Sequence, residues 1–223
     1  MDISRAIITI GRQTGSCGVE IGQTIAQRLG IKCYDRELLT MAAKESGYTP
    51  QLFERHDEKP ANSLIYSMAM GAYPYGPGAY GATEMPLDHK LFLAQFDTIR
   101  KIAEKESCVI VGRCADYALS DYPNVVSVFI RGDQADKIRH LAAKYNISED
   151  KAKDVMNRTD KSRSSYYNYY SNKRWGSSKS YDLCINSSAL GYDGAVDVIL
   201  KFAEVKQAFN KKNREKAGLK DED

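Results

Sequence analysis

The sequence predicts an α/β fold with three layers, in which helices cover both faces of a five-stranded parallel sheet. Five short apolar runs have the length and the β-branched content of buried strands. Segments with helical periodicity separate these runs, and a glycine-rich turn follows the first of them. Strands that alternate with helices indicate parallel pairing, because each helix carries the chain back across the sheet.

The turn after the first strand is the strongest indication of a ligand site. Residues 7–10 predict a buried strand, residues 11–18 are rich in glycine and small polar residues, and apolar residues recur at helical spacing over 21–29. In such a turn successive main-chain N–H groups point inward, and the dipole of the following helix favours an anion. The sequence therefore predicts a phosphate site, with a tight turn that binds no ligand as the alternative.

This turn departs from the Walker A pattern G-x-x-x-x-G-K-[ST], in which the lysine reaches the terminal phosphates and the hydroxyl holds Mg²⁺. Gly11 and Gly15 are present, but Gly18 stands where the lysine is expected, and no serine or threonine follows it. Our hypothesis is that Arg12 supplies the missing cation and Ser16 the missing hydroxyl, because both lie in the turn.

Charged residues also follow the next two predicted strands. Asp35 and Arg36 come at the end of the strand over 31–35, and Arg113 follows the strand over 108–111. Ligands of open parallel sheets gather at the carboxyl ends of the strands, so these side chains are expected beside the glycine-rich turn. The guanidinium group of arginine suits a two-point contact with phosphate. The alternatives are a helix cap for Asp35 and a structural ion pair for Arg113.

Residues 48–90 differ in character and predict an insertion. Helices are expected around 51–58 and 61–70, followed by a tract rich in glycine, proline and tyrosine at 71–82. Such a tract cannot form a regular helix or a central strand. We expect a surface loop there, with a clamp for a planar ligand or a contact with a second subunit as the alternatives.

The most informative polar stretch covers residues 157–176. Its charged and aromatic residues recur at intervals of three and four, which places them on one face if the segment is helical: Asp160, Arg163, Tyr167, Tyr170 and Arg174. Arginines suit the phosphates of a nucleotide, and phenol rings suit its base or sugar. The alternative is a tyrosine-rich interface between subunits, which leaves a homodimer open.

Composition limits the classes of function. The chain has 223 residues, of which 43% are hydrophobic, and a net charge of +3, too small to indicate nucleic-acid or membrane binding. The five cysteines include no C-x-x-C pair, and there is neither a signal peptide nor a long apolar run. We therefore expect free thiols and a cytoplasmic location. Cys17, beside a predicted helix N-terminus, is either a reactive thiol or simply a small residue.

Together these segments resemble the cytidylate kinase-like family of P-loop nucleoside monophosphate kinases. The resemblance covers nearly all of residues 5–205, and the combination is specific even though each segment alone is not. The segments are ITIGRQ at 8–13, GSCG at 15–18, YD at 34–35, VIVGRCADY at 109–117, VFI at 128–130, TDK at 159–161 with Arg163 and YY at 166–167, WG at 175–176, and YDL at 181–183 with Asn186.

The resemblance implies transfer of a phosphoryl group from ATP–Mg²⁺ to a nucleoside monophosphate, by analogy CMP or dCMP. The catalytic residues that it implies are Arg12, Arg113, Asp160, Arg163 and Arg174. Those implied for ATP binding are Gly11, Gly15, Ser16, Cys17, Gly18, Arg158 and Lys161. Those implied for acceptor binding are Asp35, Arg36, Asp116 and Tyr167. The ligands of Mg²⁺ stay unassigned.

We expect a kinase-like domain over residues 1–205, with an insertion at about 48–90 and a lid at about 150–180, followed by a charged tail at 206–223. Two other functions stay open. The loss of the lysine allows a nucleotide-binding sensor module without turnover. The residues after Asp35 differ from the cytidylate kinase pattern, which allows a kinase for a non-nucleotide metabolite.

Overall fold

The computed structural model describes residues 6–59 and 85–216. Within these ranges the five predicted strands form one all-parallel sheet in the order β2-β3-β1-β4-β5. The strands are β1 (Ile7–Arg12), β2 (Lys32–Tyr34), β3 (Cys108–Val111), β4 (Val125–Arg131) and β5 (Leu183–Asn186). The predicted parallel sheet is confirmed, and β1 in its centre places the glycine-rich turn at the middle of the carboxyl edge.

Helices alternate with these strands along the chain. They are α1 (Gly18–Leu29), α2 (Glu37–Ser46), α3 (Pro50–His56), α4 (Leu87–Lys105), α5 (Ala115–Ala118), α6 (Gln134–Tyr145), α7 (Glu149–Ser171) and α8 (Ser187–Lys216). Caps fix two of the helix ends: Gly30 ends α1 in a left-handed conformation, and the Ser148 hydroxyl accepts a hydrogen bond at the start of α7.

Different helices cover the two faces of the sheet. Successive strand residues point to opposite faces. Ile8 packs with Ile21 of α1 and Ile199 of α8 on one face, whereas Ile7 packs with Ile99 of α4 on the other. The fold is therefore the predicted three-layer α/β/α arrangement. None of the helices in the described ranges is long and apolar enough to cross a membrane.

Some element boundaries differ from the prediction. The predicted helix at 51–58 ends at His56, while the predicted helix at 61–70 and the glycine- and tyrosine-rich tract lie outside the described residues. A charged tail was expected at 206–223, yet α8 continues to Lys216. Lys206 and Asn210 explain this, because their side chains donate hydrogen bonds to the carbonyls of Val125 and Pro123 beside the start of β4.

Candidate active site

The glycine-rich turn is shaped by its contact with α6. The Gly15 backbone has φ = 85°, and a Cβ atom there would lie 2.7 Å from the carbonyl oxygen of Lys137. Gly11, by contrast, lies inside β1, where a Cβ would meet the Phe129 ring at 2.9 Å. Gly15 therefore lets the turn approach α6, whereas Gly11 makes room for an aromatic side chain rather than for a ligand.

The structure gives a reason for the missing lysine. The Arg12 side chain crosses from β1 toward the end of β3, between two glycines. A Cβ on Gly18 would lie 2.5 Å from the Arg12 Cβ, and a Cβ on Gly112 would lie within 2.3 Å of an Arg12 guanidinium nitrogen. Real Cβ atoms do not approach so closely, so the position where a Walker A lysine would begin is closed by the stem of Arg12.

The guanidinium group of Arg12 forms an ion pair with the buried carboxylate of Glu58. Its Nη1 lies 2.5 Å from Oε1 of Glu58, while Nε of Arg163 donates to Oε2 of Glu58 at 2.8 Å. The main-chain N–H of Arg113 also points at Oε1, at 3.4 Å. Burial alone would raise the pKa of Glu58, but the charges of Arg12, Arg163 and Arg113 outweigh it and lower that pKa. Glu58 is therefore ionised between these arginines.

Arg113 is buried and fixed by two other carboxylates. Its Nη1 donates to Asp35 at 2.6 Å, and its Nε and Nη2 donate to both oxygens of Asp57 at 3.2 and 3.0 Å. Burial lowers the pKa of Arg113, but Asp57, Glu58 and Asp35 raise it further than burial lowers it. The predicted meeting of Asp35 and Arg113 is observed. The helix-cap alternative for Asp35 is wrong, because Arg36 holds the cap position of α2.

The helix α7 lies against the glycine-rich turn. Oδ1 of Asp160 accepts a hydrogen bond of 2.7 Å from the main-chain N–H of Thr14, and Nη1 of Arg163 donates to the Thr14 hydroxyl at 3.0 Å. The Lys137 amine, from α6, lies 3.0 Å from Oε1 of Gln13 and 3.8 Å from Oδ2 of Asp160. Burial lowers the pKa of Lys137. The Thr14 main-chain amide and the Lys137 ammonium both face Asp160, and the Arg163 guanidinium contacts Thr14 beside them.

Ser16 and Cys17 have other roles than those expected from the sequence. The Ser16 hydroxyl is buried and donates toward the carbonyl oxygens of Gln13 and Ile130, at 2.8 and 3.1 Å, so it braces the turn against β4. Cys17 caps α1 with φ = 58°, and its sulfur lies 3.8 Å from Nδ1 of His140. Burial, and then Glu20, raises the Cys17 pKa, which argues against a reactive thiolate.

Three of the four tyrosines of α7 turn inward, and Tyr169 is exposed. The Tyr167 hydroxyl donates to the buried carboxylate of Asp116 at 2.7 Å, and the Tyr170 ring stacks on Phe92 with centroids 4.0 Å apart. Tyr166 and Tyr167 are both buried inside the chain, in a cluster that includes Phe129 and Tyr181. These two tyrosines are therefore core residues beside the site, and the subunit interface considered from the sequence is wrong for them.

The chain matches the profile of the cytidylate kinase-like family over residues 7–189. It belongs to that family. It is also similar to the crystal structure of an uncharacterized protein from Eubacterium ventriosum, with 33% identity, a TM-score of 0.67, and coverage of 89% of this chain and 98% of the other.

A solved kinase is similar in fold to this cytidylate kinase-like chain. Shikimate kinase from Bacteroides thetaiotaomicron matches 89% of this chain and 98% of its own, at 14% identity and a TM-score of 0.50. Family and fold together are those of a kinase-type phosphotransferase with a P-loop fold, as predicted. None of the curated proteins searched matches this chain.

Several residues expected in the site of this cytidylate kinase-like chain lie at its surface. Arg36, Arg158, Lys161 and Arg174 are exposed. The placement of Arg174 on the polar face of α7 is wrong, because the helix ends at Ser171 and Asn172 adopts a left-handed conformation with φ = 54°. The helical spacing that relates Tyr170 to Arg174 in the sequence therefore does not apply, because the helix ends between them.

Four residues of the site were not predicted: Gln13, Asp57, Glu58 and Lys137. Asp57 and Glu58 follow a short helix in a charged segment, and such acids are normally exposed. Lys137 lies on a helix whose other charged residues face solvent. Asp57 and Glu58 contact distant arginines, and Lys137 contacts Gln13, so each pairing joins residues more than 40 positions apart, for which the local sequence holds no signal.

Proposed function

We propose that this chain transfers a phosphoryl group from ATP–Mg²⁺ to a nucleoside monophosphate such as CMP or dCMP. The observation that carries the proposal is the convergence of Arg12, Arg113 and Arg163 with the glycine-rich turn at the carboxyl ends of β1 and β3. Phosphoryl transfer requires positioning and charge stabilisation rather than covalent chemistry, and cations with main-chain amides supply both.

On the donor side, the turn is suited to an anion. The Thr14 amide already donates to the carboxylate of Asp160, and α1 begins at Gly18 with its N-terminus toward the turn. ATP–Mg²⁺ would supply the phosphoryl group and a compensating metal charge. Arg163 and Lys137 are the cations that we propose to contact its phosphates, because both already border Thr14 or Gln13. Arg12 and Arg163 both pair with Glu58, but Arg163 also donates to the hydroxyl of Thr14.

Few protein ligands are proposed for Mg²⁺. No cluster of three or more His, Cys, Asp or Glu side chains suited to a metal occurs in residues 6–59 and 85–216. Mg²⁺ in kinases is commonly bound by substrate phosphates, waters and one or two carboxylates, so such a cluster is not required. We propose that the carboxylate of Asp160, which borders the turn, is a ligand of Mg²⁺.

On the acceptor side, we propose that Arg113 and the pair Asp116–Tyr167 bind the nucleoside monophosphate. Asp35 and Asp57 hold the Arg113 guanidinium in one orientation. Asp116 and Tyr167 line the same cavity as Arg12 and Arg113, and a carboxylate beside a phenol can accept and donate hydrogen bonds to a base or a sugar.

The test is ADP release from ATP–Mg²⁺ with CMP, dCMP, UMP, AMP or GMP as acceptor, measured for the parent, Arg163→Met and Arg158→Met. Both variants remove an arginine from α7, but only Arg163 contacts the turn. We expect acceptor-dependent turnover that falls by roughly 10²–10³-fold in Arg163→Met, the usual cost of one charge-stabilising donor, and is kept in Arg158→Met. Equal turnover in the two variants would refute the assigned role of Arg163.

A second function is favoured by the closed position at Gly18, where a phosphate-binding lysine has no room. In this alternative the chain binds nucleotide as a sensor without turnover. Tight ATP binding with no ADP release for any of the five acceptors would support the sensor, or a kinase for a non-nucleotide acceptor. A wider acceptor screen separates these two.

A further inference from the structure

Glu58 lies where a ligand of the three arginines would be expected. It follows α3 in a left-handed conformation with φ = 48°, and only 9% of its surface is exposed. Its two carboxylate oxygens face Nη1 of Arg12 and Nε of Arg163, and the Arg113 amide completes the ring. Two guanidinium groups and a main-chain N–H around one anion are the donors with which proteins bind phosphoryl groups.

The three arginines and three carboxylates of this cluster balance in number but are unevenly paired. Asp35 and Asp57 both pair with Arg113, so the single charge of Glu58 faces the two charges of Arg12 and Arg163. A phosphate monoester carries close to two negative charges at neutral pH and would match both arginines. The carboxylate of Glu58 supplies only one negative charge to the two guanidinium groups of Arg12 and Arg163.

A donor is also left over. Nε of Arg12 is fully buried and has no hydrogen-bond partner among the described residues. Buried arginine N–H groups are normally satisfied, and leaving one unpaired is costly. Both oxygens of Glu58 already accept hydrogen bonds from other donors, whereas a terminal phosphoryl group would bring a third acceptor oxygen. The spare donor is what a larger anion would use.

We propose that Arg12, Arg163 and the Arg113 amide form a phosphoryl-binding site, and that Glu58 fills this site until a phosphorylated ligand displaces its carboxylate. The inference deepens the proposed function and rests on it in so far as the ligand is the phosphoryl group of the acceptor. A groove lined in part by Glu58, Ser162 and Arg163 borders the carboxylate and gives the ligand a route to it.

The experiment measures the binding of inorganic phosphate by calorimetry to the parent, Glu58→Gln and Glu54→Gln. Glutamine keeps the shape of Glu58 but removes the charge that competes with phosphate. Glu54 is an exposed acid on α3 and serves as the matched control for the loss of one negative charge. We expect phosphate to bind Glu58→Gln at least about tenfold more tightly than the parent, and Glu54→Gln to bind like the parent.

If Glu58 had only a structural role, Glu58→Gln should bind phosphate more weakly than the parent, because the arginines would lose the partner that holds them in place. Phosphate affinity in Glu58→Gln that equals or falls below the parent value overturns the inference. Glu58→Asp provides a second measurement if Glu58→Gln folds poorly: its shorter carboxylate keeps the charge but cannot reach both arginines at once, and it should bind phosphate with intermediate affinity. An affinity in Glu58→Asp no higher than that of the parent would count against the inference.

The outcomes separate this inference from the proposed function. If Glu58→Gln binds phosphate more tightly while no nucleotide acceptor supports ADP release, the phosphoryl site stands and the acceptor is wrong. If acceptor-dependent ADP release occurs while Glu58→Gln shows no gain for phosphate, the function stands and the role of Glu58 as an occupant is wrong.

Discussion

Substitution of Gly18 by alanine tests whether Arg12 closes the start of α1. The added Cβ would lie 2.5 Å from the Arg12 Cβ and 3.0 Å from its Cγ, whereas non-bonded carbons prefer about 3.5–4.0 Å. Arg12 cannot swing aside freely, because it is buried and paired with Glu58. Overpacking of this kind costs about 1–3 kcal/mol of unfolding free energy. For a chain of 223 residues, each kcal/mol lowers Tm by roughly 2–4 °C.

The assay is urea unfolding followed by circular dichroism and by the fluorescence of Trp175, the single tryptophan. Gly194→Ala is the control, because Gly194 lies within α8 and an added Cβ would make only an ordinary contact of 3.6 Å with Leu190. Alanine there should stabilise the chain by roughly 0.5–1 kcal/mol through helix propensity. If Gly18→Ala proves as stable as Gly194→Ala, Arg12 does not exclude a side chain at position 18, and our account of the missing lysine fails.

Three further predictions concern the buried polar groups. Arg113→Met should lower the unfolding free energy in urea by about 3–5 kcal/mol, because the carboxylate of Asp57 loses its partner, whereas Arg100→Met, which removes a partly exposed ion pair with Asp121, should cost less than about 1 kcal/mol. The Glu58 pKa is lowered from 4.5 in the fold, so its ion pairs stabilise the chain above that pH and are lost on acidification; Glu58→Gln should flatten the loss of stability below about pH 5. Ser16→Ala should cost about 1 kcal/mol and leave the Mg²⁺ dependence of ATP binding unchanged, and a changed dependence would restore Ser16 as a metal ligand.

The fold could be predicted because its elements carry strong local patterns. The strand over 108–111 was placed at its observed bounds, since four consecutive buried residues match a strand covered on both faces. The turn after β1 and the positions of Asp35 and Arg113 at strand ends followed from the parallel sheet, whose carboxyl ends share one edge.

The contacts within the site could not be predicted in the same way. Arg12 faces Glu58, and this contact joins residues that are 46 positions apart in the sequence. A periodic pattern of apolar or charged residues cannot predict such a contact. The helical spacing of Asp160 and Arg163 was correct and brought both to the turn, but the end of α7 could not be placed. The residue after its end, Asn172, takes the left-handed conformation, and asparagine is a weaker stop signal than glycine or proline.

The passage of Arg12 between Gly18 and Gly112 also constrains how this sequence can change over time. A lysine at position 18 would collide with the stem of Arg12, and any side chain at position 112 would collide with its guanidinium group. The chain could therefore acquire a lysine at position 18 only after Arg12 is replaced, and that replacement would leave Glu58 buried with fewer partners. We expect positions 12, 18 and 112 to vary together among relatives, so that an arginine at the first accompanies glycines at the other two.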